Sequence, residues 1–261
     1  MRKLWYRLFI FLTNHKASSL MIMKFSRSKW SRAFIGTYGK MYKLNMEEVE
    51  RKQQDFATLH DLFTRTLKEG ARQVHQGDDT VVSPVDAVFE DHGSIQGDRN
   101  IVVKGKVYSI QEMLGDDAAL EKYIGGEYMV LYLSPSHYHR IHSPVNGKVV
   151  KRWSLGKRSY PVNKLGMKYG KAPLSKNFRV ITEMEHAHGF IAVVKVGAMF
   201  VNSIEITNNS DKLQKGEEFA YFSFGSTIVL LFEKNTFELN PSLRMPSQVK
   251  YGEVLGTFKK K

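Results

Sequence analysis

The stretch Phe190-Ile191-Ala192-Val193-Val194-Lys195-Val196-Gly197-Ala198 is apolar, largely β-branched and too short for an ordinary buried helix, so it predicts a strand. Runs of the same kind lie on either side, separated by Gly, Pro and Asn. Upstream they are Val81–Val82, Ala87–Phe89, Ile101–Val103, Tyr128–Leu133, Val149–Trp153 and Phe178–Thr182. Downstream they are Phe200–Ile206, Phe219–Phe224, Ile228–Phe232 and Tyr251–Phe258. One helical interruption is expected, Ser109–Leu114 followed by Asp117–Tyr123 and stopped at Gly125–Gly126. Residues 1–70 read as helical: Leu59, Leu62, Phe63 and Leu67 share a helical face, with Thr58 as cap and Gly70 as stop. The predicted class is α+β, a helical N-terminal segment followed by a β-rich, sandwich- or barrel-like body.

Composition narrows what such a body can do. A hydrophobic share of 42% supplies a core and excludes a disordered chain. The absence of cysteine excludes disulfides, thiolate metal sites and a cysteine nucleophile. The charge is unevenly placed. Ten basic residues, Arg2 to Lys43, precede the first acidic one, Glu47, so the head carries +10 of a formal net +13. Large apolar residues interleave with these charges, but the longest apolar run, Leu8–Leu12, is far short of the roughly 20 residues of a spanning helix. Arg7 interrupts the apolar region and no small-x-small site follows, which argues against a cleaved signal peptide. Three readings of the head remain: a segment lying on an anionic bilayer, helices packed on the body, or a nucleic-acid-binding arm. Nothing else in the chain resembles a nucleic-acid-binding module.

Three places carry residues suited to chemistry. Asp86 closes the turn Ser83-Pro84-Val85-Asp86, which Ser143-Pro144-Val145-Asn146 echoes. An Asp after Pro is commonly only a turn former. His137, His139 and His142 lie within six residues, a density that suits acid–base work or a metal. Phe224-Gly225-Ser226-Thr227 opens the apolar run Ile228–Phe232. Together they hold the parts of an Asp–His–Ser arrangement, although residue type alone does not bring them together in space.

The order of motifs adds more. Phe63-Thr64-Arg65-x-Leu67-Lys68-x-Gly70-Ala71-Arg72, Ser83-Pro84-Val85-Asp86 and Tyr138-His139-Arg140-Ile141-His142-Ser143-Pro144 are followed by Tyr160-Pro161-Val162-Asn163 and Asn177-Phe178-Arg179-Val180. Then come Val196-Gly197-Ala198, Val201-x-Ser203-Ile204-Glu205 and Lys215-Gly216-Glu217-Glu218-x4-Phe222-x-Phe224-Gly225-Ser226-Thr227. From about residue 55 to its end the chain resembles the phosphatidylserine decarboxylases, in their short bacterial, membrane-associated form. Phe224 and Ala87 stand where many members carry Leu and Gly.

The resemblance implies an inactive proenzyme that cuts itself between Gly225 and Ser226, giving a β chain of residues 1–225 and an α chain of residues 226–261 that stay together as a heterodimer. It assigns Ser226 as nucleophile, His142 as its base and Asp86 as the orienter of that base. It implies an ester, then elimination to dehydroalanine, then hydrolysis to a covalent pyruvoyl group derived from Ser226, the only cofactor, with no metal. The pyruvoyl forms a Schiff base with phosphatidylserine, carbon dioxide leaves, and His139 protonates the carbanion to give phosphatidylethanolamine; His137 is the next candidate. A lipid substrate favours the membrane reading of the head: residues 1–46 as a basic amphipathic membrane-associating segment, residues 47–261 as the catalytic domain, and a peripheral place on the cytoplasmic face of an anionic cell membrane, without nucleic acid. Higher oligomers are left open. Two rivals are weaker. A zinc hydrolase on His139 and His142 lacks a His-Glu-x-x-His motif, and a β-sandwich carrier modified at Lys168 in Gly166-Met167-Lys168 does not explain the ordered motifs.

Overall fold

Apolar runs cut by turn residues satisfy their backbone groups by pairing with one another. The computed structural model, which describes residues 16–162, 164–198 and 203–259, pairs them into several antiparallel sheets. The strands are β1 (Thr80–Val82), β2 (Ala87–Ser94), β3 (Asn100–Val103), β4 (Lys106–Ser109), β5 (Glu127–Leu133), β6 (Arg140–His142), β7 (Gly147–Leu155) and β8 (Arg179–His186). They continue with β9 (Gly189–Gly197), β10 (Ile204–Ile206), β11 (Lys212–Leu213), β12 (Glu218–Phe222), β13 (Ser226–Phe232), β14 (Phe237–Leu239), β15 (Ser247–Val249) and β16 (Val254–Phe258). The main sheet runs β11-β7-β8-β9-β13-β5-β2-β15, and smaller sheets β1-β16-β14, β10-β12-β6 and β3-β4 accompany it. The body is β-rich and open; among the described residues no barrel closes.

β13 lies between β9 and β5, and every one of its residues is buried. Ile228, Leu230 and Phe232 face a core shared with Ile141 of β6 and Ala220 and Phe222 of β12. Val229 and Leu231 face a second core closed by Ile110, Met113, Leu120 and Tyr123. Cover on both faces explains why the sequence of this strand shows no polar alternation. The covering helices are Ile110–Leu114 and Asp117–Tyr123. Ser109 and Asp116 cap them by accepting from the Glu112 and Ala119 N–H groups, and Gly115 takes the left-handed conformation between them (φ 58°).

The head departs from a continuous helical reading. Helices cover Lys16–Ser26, Ile35–Met41 and Leu59–Phe63, with 3-10 turns at Lys29–Phe34 and Gln53–Asp55, and irregular chain between. Residues 1–15 lie outside the described ones. Thr58 caps as expected, accepting from Asp61 N–H at 3.0 Å, but the helix stops at Phe63 and not at Gly70. The Thr64 hydroxyl bonds back to the His60 carbonyl, and Leu67 bridges to Val49 as a strand would. Ile35 packs with Val49, Phe56 and Leu62, which ties the head to the chain after residue 46. No described helix is long and apolar enough to cross a membrane.

Candidate active site

The two Ser-Pro-Val turns meet. His142 N–H donates to the Pro84 carbonyl at 2.9 Å, and Val82 N–H donates to the Pro144 carbonyl at 3.1 Å. In each turn the serine hydroxyl donates to the valine carbonyl two residues on, Ser83 at 2.6 Å and Ser143 at 2.7 Å. The sequence echo is therefore a pair of matched turns, and their contact sets Asp86 near His142.

Asp86 is held by a guanidinium. Arg72 donates to both its oxygens, at 3.0 and 2.5 Å, and also pairs with Glu48 at 2.8 Å. The Tyr251 N–H completes the set at 2.9 Å. Tyr251 then carries the connection onward, since its ring stacks on His142 with centroids 3.7 Å apart. The Gly216 carbonyl takes both the Tyr251 hydroxyl, at 3.0 Å, and His142 Nδ1, at 2.9 Å. Gly216 reaches this position through a backbone φ of +83°, which only glycine adopts without strain. Because a carbonyl only accepts, Nδ1 bears the proton and Nε2 is the basic nitrogen, accepting from the Tyr138 hydroxyl at 3.2 Å.

Burial lowers the His142 imidazole to about 4, with the Gly216 carbonyl and Asp86 opposing that shift. The unfolded chain, with an ordinary histidine near 6.5, binds a proton that the fold refuses, so stability falls as pH drops through this window. His142 alone accounts for about 2 kcal/mol between pH 7 and pH 5. The urea midpoint of an uncut Ser226→Ala chain is expected to fall over that range, and His142→Gln to reduce the dependence, with His139, also held well below the usual histidine range, supplying a further part. Midpoints that ignore pH from 7 to 5 would contradict this account.

His139 has a different setting. Phe222 N–H donates to the His139 carbonyl at 2.9 Å, which continues the β6–β12 pairing one residue before the strand and places His139 opposite Phe222, on the side of Ile141 and of the core that Ser226 faces, with His142 on the opposite side. The two imidazoles therefore do not converge on one metal ion. His139 is fully buried, lies against the Phe63 ring with centroids 3.9 Å apart and planes tilted by 35°, and has no hydrogen bond to either ring nitrogen among the described residues. Desolvation, and then the Arg65 charge, hold it well below the usual histidine range, so it is neutral at pH 7. His137 is occupied in its own loop, between Ser134 N–H and Gln248 Oε1. Arg65 pins that loop by donating to the Ser136 and His137 carbonyls, at 2.8 and 2.9 Å.

Ser226 begins β13, opposite Gly197 of β9 and Leu133 of β5. Its hydroxyl is fully buried and has no hydrogen bond among the described residues, a state that costs about 1–3 kcal/mol. The Gly225 carbonyl accepts from Ala198 N–H at 2.9 Å, and a Cβ built on Gly225 would meet nothing within 4 Å. A residue converted in place to a carbonyl group fits here: the side chain is small, dry and unengaged, and the preceding residue is unencumbered. No hydrogen bond joins Asp86, His142 and Ser226 to one another among the described residues. The structure brings the first two together through Tyr251 and sets Ser226 on the far side of β6.

Several contributors escaped the sequence reading. Arg72 stood in a quoted motif without a role. Tyr138 opens the histidine motif and Tyr251 a predicted strand, but neither had a role assigned. Asn177, also within a motif, donates to the Tyr160 and Gly197 carbonyls and accepts from Tyr160 N–H, fixing the end of β9 that faces Ser226.

The model of the phosphatidylserine decarboxylase family matches residues 59–257. Over 261 residues the chain is 58% identical to the phosphatidylserine decarboxylase proenzyme of Anoxybacillus flavithermus, covering 100% of this chain and 98% of that one. It is 56% identical to the proenzyme of Geobacillus sp. (strain WCH70) over 259 residues, 99% of this chain and 100% of the relative. The proenzyme of Bacillus cereus (strain AH187) is 51% identical over 257 residues, 98% of each chain. A family match that spans both matched turns, His139, His142 and the Gly225–Ser226 junction, with full-length relatives above half identity, makes the chain a member of the phosphatidylserine decarboxylase family.

Proposed function

We propose that this chain decarboxylates phosphatidylserine to phosphatidylethanolamine, using a pyruvoyl group made from its own Ser226. The observation that carries the reading is the buried, unengaged Ser226 hydroxyl next to an unencumbered glycine at the start of the central strand. In the maturing chain Ser226 Oγ attacks the Gly225 carbonyl carbon and turns the amide into an ester. His142 takes the proton. Its Nδ1–H is fixed by Gly216, so Nε2 is the accepting atom; because Ser226 lies on the far side of β6, Tyr138, whose hydroxyl Nε2 holds, is our assignment for passing the Ser226 proton on. Asp86 favours the imidazolium that forms, from its place beside Tyr251 and Arg72. Ala198 N–H already holds the carbonyl oxygen that becomes negative.

A pyruvoyl group supplies an electrophilic carbonyl that holds the substrate amine and withdraws the electrons left by carbon dioxide. His139 faces the Ser226 side of the core and is our assignment for returning a proton to the substrate carbon. Intact-mass measurement tests the core of the proposal. The expected result is two associated chains, residues 1–225 and 226–261, the smaller starting with a pyruvoyl in place of Ser226. A single unmodified chain in active protein would refute it.

The head is assigned to the membrane surface. Met21, Trp30, Phe34 and Met41 are exposed, Trp30 at 83%, and lie among exposed Lys24, Lys29, Arg32, Lys40 and Lys43. A basic residue near an anionic surface contributes about 1 kcal/mol, and an exposed aromatic ring sits well at headgroup depth. Trp30→Ala with Phe34→Ala is expected to reduce flotation with anionic liposomes, and added salt to reduce it further, since screening shortens the charge reach to about 8 Å at physiological ionic strength. Flotation unchanged by the substitutions and by salt would assign the contact to the β body.

A further inference from the structure

Four polar side chains near the Gly225–Ser226 junction are buried without a hydrogen-bond partner among the described residues: His139, Ser203, Ser223 and Ser226. Buried hydroxyls are almost always bonded, so several orphans in one place call for an explanation. His139 and Ser226 have roles in the reading above, whereas Ser203 has none.

Its position is well defined. Ser226 and Gly197 are directly opposite in the β13–β9 ladder. The bond from Ala198 N–H to the Gly225 carbonyl makes 198/225 the hydrogen-bonded pair. The 197/226 pair is therefore the close one, with Cα atoms about 4.5 Å apart. Opposite residues project to the same face. A Cβ built on Gly197 would overlap Ser203 Oγ. Gly197 thus lacks a side chain where the Ser203 hydroxyl needs the room, and that hydroxyl stands beside the Ser226 side chain. The backbone holds it there: the Ser203 carbonyl accepts from Ser223 N–H at 2.7 Å, and Ile204 pairs with Phe222.

We propose that Ser203 is a catalytic residue of self-maturation, donating its hydroxyl hydrogen to the oxygen that leaves Ser226. This rests on the ester reading given above. In the ester, the Gly225 acyl carbon is bonded to Ser226 Oγ, and the Ser226 nitrogen is a free amine that has received the Oγ proton from His142. His142, free again, takes the Ser226 α-proton through the same Tyr138 hydroxyl. The C–H electron pair becomes the Cα=Cβ bond, Cβ–Oγ breaks, and its pair stays on Oγ, which departs as part of the Gly225 carboxylate. One carboxylate oxygen is the one Ala198 N–H holds. The other, the former Oγ, gains its charge on the face where Ser203 stands.

Ser203→Ala tests this without reference to lipid turnover. Removing one donor to a developing oxyanion typically costs about 10²–10³ in rate. The expected result is release of the 36-residue fragment slowed about 10²-fold, with the ester accumulating. Hydroxylamine, which splits esters and leaves amides, then cuts the stalled chain and frees a fragment that begins with an intact Ser226. Ser203→Cys, a weaker donor of similar size, is expected to fall between Ala and the unsubstituted chain, and it carries the test if the alanine variant does not fold. Maturation at the unsubstituted rate in either variant overturns the proposal. So does a stalled chain that resists hydroxylamine, because it has stopped before the ester. Ser226→Ala is run alongside: if that chain splits, the ester reading itself fails, and the two failures are told apart.

Discussion

Ser226→Ala yields a single uncut chain of 261 residues without decarboxylase activity. The substitution removes the only atom that can become the ester oxygen, and with it the source of the reactive carbonyl. Loss of a nucleophile commonly costs about 10⁶ in rate. Here the loss is compounded, because maturation and turnover draw on the same residue. The fold is not expected to suffer. The serine hydroxyl makes no hydrogen bond among the described residues, so alanine removes an unsatisfied group and leaves a cavity smaller than a methyl. A gel or intact-mass experiment that finds the 226–261 fragment in this variant would end the proposed mechanism.

His139 and His142 separate by step. His142→Ala stays uncut, since it removes the basic nitrogen that Gly216 and Tyr138 orient and empties the space beneath the Tyr251 ring. His139→Ala is cut, at least in part, yet decarboxylates about 10²–10⁴ more slowly, the usual contribution of a general acid or base. Both variants are scored by chain scission and by carbon dioxide release from phosphatidylserine. A fully cleaved and fully active His139→Ala protein would remove that residue from the mechanism. If His139→Ala proves uncut and His142→Ala is cut, the base is the imidazole that shares the Ser226 face of the core, and the two assignments exchange.

Much of the architecture was legible in sequence because it depends on local patterns. Runs such as Ile228–Phe232 and Phe190–Ala198 have no reading but strand when glycine and turn residues bound them. Ser109, Asp116 and Gly115 announce two short helices by capping chemistry that acts within four residues. The head was read too simply. Leu59, Leu62, Phe63 and Leu67 satisfy a helical period, but Leu67 is spent on a bridge to Val49 and Arg65 on the His137 loop, contacts that outweigh one more helical turn. The short strands Lys106–Ser109, Arg140–His142 and Ser247–Val249 carry too few residues to show a period, and the partners of the last two lie far along the chain.

The sequence by itself determined the family and pointed to the Gly225–Ser226 junction and to Asp86, His139, His142 and Ser226 as candidates, since residue type and motif order are properties of the chain alone. Tertiary structure decided how they stand to one another. It placed His139, just before β6, and His142, at its end, on opposite faces, tied Asp86 to Arg72 and Tyr251, and set the Ser203 hydroxyl in the space Gly197 leaves open. Hydrogen bonds and steric overlap act across a few ångströms between residues tens to hundreds of positions apart, so the strand register creates them, and no local pattern in the chain records them.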